Sequence, residues 1–216
     1  MGYATRDVNA GFSVKAPTFI DIGATANDID LQNLSLIDSE GWGADQIQVL
    51  GTDGVVTDDV YYWYNAAEAG DSAGWYNDAW ELITNVKIAQ AAGVILSCSG
   101  AVKLQTSGQV LAGKQEIPLY AGFTVAGNNT NIDHDLQDLK LIGSEGWGAD
   151  QIQVLGDDGV VTDEVYFWYN AGEAGDDAGW YNDAWEPIVE VSVEAGKALI
   201  FSCSGNVALE IPSQLD

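Results

Sequence analysis

Side chains able to do chemistry cluster at a few places in the chain. Two acidic loops, GTDGVVTDD over Gly51–Asp59 and GDDGVVTDE over Gly156–Glu164, set carboxylates around a glycine turn. The first offers Asp53, Asp58 and Asp59; the second offers Asp157, Asp158, Asp163 and Glu164. Calcium takes about six to eight oxygen ligands, so these residues are the candidate metal ligands and calcium the candidate ion. Their spacing is not that of an EF-hand loop. Asp and Gly also build hairpin turns with no ion present, and the residues favour that plainer reading. A second kind of chemistry is stacking. Trp75, Tyr76 and Trp80, with Trp180, Tyr181 and Trp185, lie in Gly/Asn/Asp-rich segments. Flat rings beside carboxylates and amides suit sugars, which makes Trp75, Trp80, Trp180 and Trp185 candidate ligand-binding residues; the competing role is core packing. Trp63 and Trp168, inside apolar strands, are expected in the core.

Nucleophilic catalysis finds little to work with. A Ser-His-Asp or Cys-His device needs a positioned base, and the single histidine, His134, stands where the matching segment has Ile29. Acidic pairs spaced for glycoside hydrolysis arise by chance among 33 Asp and Glu residues. No catalytic residues are expected. Cys98 and Cys203 read as buried free thiols rather than a bridge. Asn33-Leu34-Ser35 and Asn128-Asn129-Thr130 match the glycosylation acceptor pattern.

These residues are set in place by a duplication. Glu40–Asn65, EGWGADQIQVLGTDGVVTDDVYYWYN, recurs at Glu145–Asn170 with an offset of 145 − 40 = 105 and three differences: Thr52/Asp157, Asp59/Glu164 and Tyr62/Phe167. AGWYNDAWE and SCSG repeat at the same offset, and all eight tryptophans fall in pairs. Upstream, Pro17–Leu34 matches Ala121–Leu139 only after a one-residue gap. Within a copy the signals are β. Gln46-Ile47-Gln48-Val49-Leu50 alternates with period two, Thr52-Asp53-Gly54 is a turn, and Val60-Tyr61-Tyr62-Trp63-Tyr64 is a strand, which together predict a hairpin. Val94–Cys98 and Val102–Leu104 predict a second hairpin about Ser99-Gly100, repeated at Ala198–Cys203 and Val207–Leu209. A helix over Ala66–Tyr76 is disfavoured by Gly70 and Gly74. The small and polar stretch Thr106–Lys114 reads as a linker. The expected fold is all-β: two tandem homologous β-sandwich (jelly-roll-like) domains, 1–107 and 108–216.

The charge balance narrows the partners. With 33 acidic and 7 basic residues the net charge is −26. Such a surface repels phosphate backbones, so nucleic-acid binding is not expected, and neither is adhesion to an anionic membrane. No apolar run reaches the roughly 20 residues that span a bilayer. The opening MGYATRDVNAGFSV lacks the order of a signal peptide, which predicts either a cytosolic chain or one whose leader has been removed.

Several segments carry a likeness to other proteins: Ala121–Asn128 with its Ala-Gly-Phe opening, Asp28-Ile29-Asp30-Leu31-Gln32, the Gly-Trp and Trp-Glu segments, Ala195–Ser202 and the opening Tyr3–Asn9. In these the chain resembles uncharacterised bacterial secreted or surface proteins built from tandem Trp-rich β modules. The resemblance implies an extracellular or cell-surface β-protein and brings no catalytic residues with it. The leading expectation is an extracellular structural protein, a self-associating subunit of a fibre or sheath. In it the segment Tyr3–Ala16 would pair with a sheet edge on a neighbouring subunit. The first alternative is a carbohydrate-binding protein using the exposed Trp and Tyr rings. The second, which the residues support least, is a calcium-dependent hydrolase.

Overall fold

The computed structural model describes residues 2–16, 18, 28–70, 72–89, 92–110, 112–156, 161–175 and 177–213. It is all-β and built of antiparallel sheets. The first half of the chain holds β1 (Gly2–Val8), β2 (Gly11–Lys15), β3 (Ile29–Asp30), β4 (Leu34–Ile37), β5 (Gln46–Leu50), β6 (Val56–Tyr64), β7 (Gly74–Tyr76), β8 (Lys87–Ile88), β9 (Val94–Cys98) and β10 (Val102–Gly108). The second half repeats the series as β11 (Gln115–Leu119), β12 (Gly122–Gly127), β13 (His134–Asp135), β14 (Lys140–Ile142), β15 (Gln151–Leu155), β16 (Val161–Tyr169), β17 (Gly179–Tyr181), β18 (Ser192–Val193), β19 (Ala198–Cys203) and β20 (Val207–Ile211).

Each half makes its own sheets. The first has a three-stranded sheet in the order β1-β10-β4 and a five-stranded sheet in the order β2-β9-β5-β6-β7. The second has β11-β20-β14 and β12-β19-β15-β16-β17, with the short pairs β3-β8 and β13-β18 beside them. Alternation decides which residues go inside. In QIQVL Ile47 is fully buried while Gln46 and Gln48 stay half exposed, and in VYYWY Trp63 is buried. One buried cluster draws Val8, Leu36 and Leu104 from the three-stranded sheet and Ile47, Leu96 and Trp63 from the five-stranded one. The second half has the same arrangement.

The hairpin expected around Thr52-Asp53-Gly54 forms, with β5 and β6 paired and a bulge between Gln48 and Leu50. The second expected hairpin does not. β9 pairs with β2 and β5, whereas β10 pairs with β1 and β4, so Ser99-Gly100 is a corner between sheets and not a hairpin turn. Both strands alternate apolar residues, and their inward residues join one buried cluster. The carboxylate of Asp45, fully buried, holds that corner: it accepts from the Ser99 N–H at 2.7 Å and hydroxyl at 3.0 Å, and from the Ser39 hydroxyl at 2.5 Å. Asp150 does the same at Ser204 and Ser144.

Three further expectations change. Thr106, Ser107 and Gly108 belong to β10 and pair with Ala4, Tyr3 and Gly2, so the expected linker begins as strand. The segment Tyr3–Ala16 is used within its own chain, as β1 on β10 and β2 on β9. Only one turn of the disfavoured helix exists, α1 (Ala66–Ala69), matched by α2 (Ala171–Ala174).

Candidate functional site

The outward face of each five-stranded sheet carries one continuous row of side chains across all five strands. Register places Phe12 opposite Ser97, Ser97 opposite Gln46, Gln46 opposite Tyr62, and Tyr62 opposite Tyr76. The second half repeats it as Phe123, Ser202, Gln151, Phe167 and Tyr181. Residues directly opposite on neighbouring strands share a face, so each row lies on one side of its sheet. The alternate residues Leu96, Ile47, Trp63 and Trp75 point into the core. Five strands span four gaps of about 4.8 Å, so a row is roughly 19 Å long. It holds an exposed ring at its start, a hydroxyl and an amide in the middle, two rings at its far end and no ionised group; of the far-end rings Tyr76 is buried, packed on Tyr64 and Trp80, while Tyr181 is half-buried. Among the described residues neither the Gln46 nor the Gln151 side chain has a hydrogen-bond partner, whereas Gln153, one step along the strand, is tied to the Thr162 carbonyl at 2.9 Å. On the second row a depression of about 110 Å³ is lined in part by Phe123, Gln151, Gln153, Ile200 and Ser202.

More rings stand at the far end of each row. Tyr64 and Tyr76 meet edge to face at 5.4 Å, and Trp80 lies on Tyr64 at 4.2 Å with a 43° tilt; Tyr169, Tyr181 and Trp185 repeat the group. Trp80 and Trp185 are half exposed, at 52% and 53%. The loop Ser39–Asp45 folds over the same rings: a Cβ at Gly43 would come 2.7 Å from the Tyr64 hydroxyl. At the tip of that loop Trp42 is 71% exposed, as Trp147 is 70% exposed in the second half.

All four of these tryptophans have left-handed backbone, with φ of 53° at Trp42 and Trp147 and 63° at Trp80 and Trp185. Such a conformation in a bulky residue costs about 1–3 kcal/mol and persists only where its surroundings hold it. The Glu68 carboxylate does so at Trp42, accepting from the N–H groups of Trp42 at 2.7 Å and Asn65 at 3.0 Å. Glu173 acts likewise at Trp147 and Asn170. Around Trp80 the Asn77 side chain accepts from the N–H groups of Ala79 and Glu81 at 3.0 and 2.9 Å. Each indole is thus held outward by a fixed loop.

The structure separates the four expected ligand-binding tryptophans. Trp75 and Trp180 are fully buried, and their indole N–H groups donate to the carbonyls of Leu34 at 2.7 Å and Leu139 at 2.6 Å. They pack against Trp63 and Trp168 and offer no face to a ligand. The reason is register: Trp75 sits opposite Trp63, on the inward side, while Trp80 lies beyond the strand.

Among the described residues no group of three or more His, Cys, Asp or Glu side chains is placed to hold a metal. Asp58 and Asp59, like Asp163 and Glu164, are consecutive in a strand and point to opposite faces. Asp53 accepts from the Val55 N–H at 3.1 Å, closing the hairpin turn. Asp157 and Asp158 lie outside the described residues.

His134 is buried in β13, its Nε2 3.0 Å from the Thr130 hydroxyl. Burial holds its pKa below the usual 6.5, against the opposing pull of Asp138 and Asp133. Cys98 and Cys203 are free and buried; burial, helped by Asp45 and Asp150, pushes both thiols up to about 12. Asn128 is fully buried and donates both amide hydrogens, to Ile132 and Val193, which removes it as a glycosylation acceptor.

The sequence reading passed over Phe12, Gln46, Tyr62 and Trp42 with their partners Phe123, Gln151, Phe167 and Trp147. The period-two signal was present for Gln46 and Tyr62, since each alternates with a core residue. Nothing local marks Phe12 as their neighbour, because it enters the row from an edge strand 85 residues before Ser97 (97 − 12 = 85). No family model, curated protein or solved structure matches this chain.

Proposed function

We propose that this protein is an extracellular glycan-binding protein made of two homologous β-sandwich modules in tandem, 1–107 and 108–216, each with one binding face. The observation that carries this reading is the row Phe12-Ser97-Gln46-Tyr62-Tyr76 and its copy, flanked by the outward-held Trp42 and Trp80 and by Trp147 and Trp185. Sugars present C–H faces that stack on aromatic rings and hydroxyls that pair with amide and hydroxyl groups. The row supplies both along a length that fits an oligosaccharide rather than a single sugar. With no charge in the row and −26 on the chain, the ligand is a neutral glycan; uronate or sulfated polymers would be repelled.

The edges of the five-stranded sheet give less support to self-association into a fibre or sheath. Gln32 covers the β7 edge, donating to the Trp75 and Ile83 carbonyls at 2.9 and 2.8 Å. At the other edge of that sheet the end of β2 meets the second half, where the Ala16 N–H donates to the Gly196 carbonyl at 3.0 Å. A covered edge offers little to a neighbouring strand.

Affinity electrophoresis in gels cast with cellulose derivatives, xylan, mannan, mixed-linkage glucan, alginate and pectin tests the reading. Retardation is expected in one or more neutral gels and in neither acidic one. Trp80→Ala with Trp185→Ala should weaken binding by about 2 kcal/mol per site, roughly 30-fold, without changing the melting temperature much. Free migration in every neutral gel would overturn the proposal.

A further inference from the structure

The two halves touch each other at a junction. Phe12 and Phe123 each lie opposite the first serine of their own Ser-Cys-Ser-Gly segment, so positions in β2 and β12 correspond at an offset of 111, and later positions at 105. The junction contains an antiparallel bridge between Lys15 and Lys197. Elsewhere at the junction a Cβ on Gly93 would meet Val125 Cγ1 at 2.7 Å. The Ala16 to Gly196 hydrogen bond extends the same antiparallel ladder on the Lys15 side.

The rows are not continuous with one another. The residue of the first half that abuts Phe123 is Gly54, at the β5–β6 turn, where a Cβ would come 2.8 Å from the Phe123 carbonyl oxygen. Gln46 and Tyr62 of the first row sit opposite each other at the other end of β5 and β6. A straight chain lying along one row therefore does not continue along the other.

We infer that the two faces take two separate glycan chains, so that a single polypeptide cross-links neutral polysaccharide. The inference rests on the glycan reading above. One face alone holds one chain; both together join two. Linking two sites on one chain also raises the avidity for a polymer network far above that of either face.

Calorimetric titration with cellohexaose, xylohexaose and mannohexaose, followed by rheology of the parent soluble polymers, separates the possibilities. For at least one hexasaccharide the expected stoichiometry is two per chain. Phe12→Ala with Gln46→Ala should remove the first site and Phe123→Ala with Gln151→Ala the second, each losing at least 30-fold there while the other site is unchanged. All four side chains are exposed or half exposed, so folding is spared. The unaltered protein should raise the viscosity of the matching polymer; either double variant should bind it without that rise. Two hexasaccharides bound with no rise in viscosity, or one hexasaccharide spanning both faces, would overturn cross-linking and leave the glycan reading standing. No binding of any hexasaccharide would overturn both.

Discussion

Asp45 shows how one side chain organises the site from below. It is fully buried, yet its oxygens accept from Ser99 and Ser39, joining the loop that carries Trp42 to the corner between the two sheets. A buried carboxylate is tolerated when its hydrogen bonds are satisfied, and removing it leaves several donors without an acceptor. Asp45→Ala should therefore cost about 3 kcal/mol, read as a lower urea midpoint, and should increase the mobility of Trp42 in fluorescence anisotropy. An unchanged midpoint would remove this role. His134 differs between the halves, since Ile29 occupies its place in the first. Its folded pKa is lowered by burial, so the unfolded chain binds the extra proton first as pH falls. The stabilisation it gives is complete above 6.5 and declines below it. Acid should loosen the second half, and His134→Ile should abolish that part of the pH dependence; an NMR titration placing His134 at or above 6.5 would contradict this.

At the level of elements, the row depends on β7 staying in place, and β7 has only three residues. Gln32 holds it from outside the sheet, with its amide on Trp75 and Ile83 and its carbonyl accepting from Trp75 at 3.3 Å. Gln137 repeats the clamp on Trp180 and Ile188. Gln32→Ala should raise amide hydrogen exchange in 74–76 and 83 while exchange in β5 and β9 stays slow. Equal acceleration across the whole five-stranded sheet would mean that β7 is not held separately. Much of this level was readable in advance. Period-two alternation in Gln46–Leu50 and Val60–Tyr64 gave the strands their inward faces, and the turn at Asp53-Gly54 paired them. The corner at Ser99-Gly100 was not readable, because a two-residue turn signal between apolar strands is the same whether the strands pair or part.

For the whole molecule, Arg6, the only arginine, stands at the junction. It is half buried on β1, and a Cβ on Gly196 would come 2.8 Å from its Nε. Burial lowers its pKa, while Asp133 and Glu194 from the second half pull it back up. A cavity of about 340 Å³ lined by Thr5, Arg6, Asp7, Asn9, Lys15 and Glu194 lies there. In a chain of −26 this guanidinium relieves repulsion between the halves. Arg6→Ala should split thermal unfolding into two calorimetric transitions, more clearly at low salt, where the repulsion is less screened. A single transition at the original temperature would show that the junction does not depend on it.

The duplication, the β class, the inward residues of the main strands and the acidic character were all determined by the chain alone, because repetition, alternation and charge are properties of residues near one another in sequence. The outward row belongs to tertiary structure. Its five residues come from five strands and three separate stretches of the chain, and only hydrogen-bond register between β2, β9, β5, β6 and β7 sets them side by side. The same holds for the tryptophans. All four candidates share one segment type, and whether a ring is buried, as at Trp75, or outward, as at Trp80, depends on whether it sits on the inward side of a strand or in the loop beyond it.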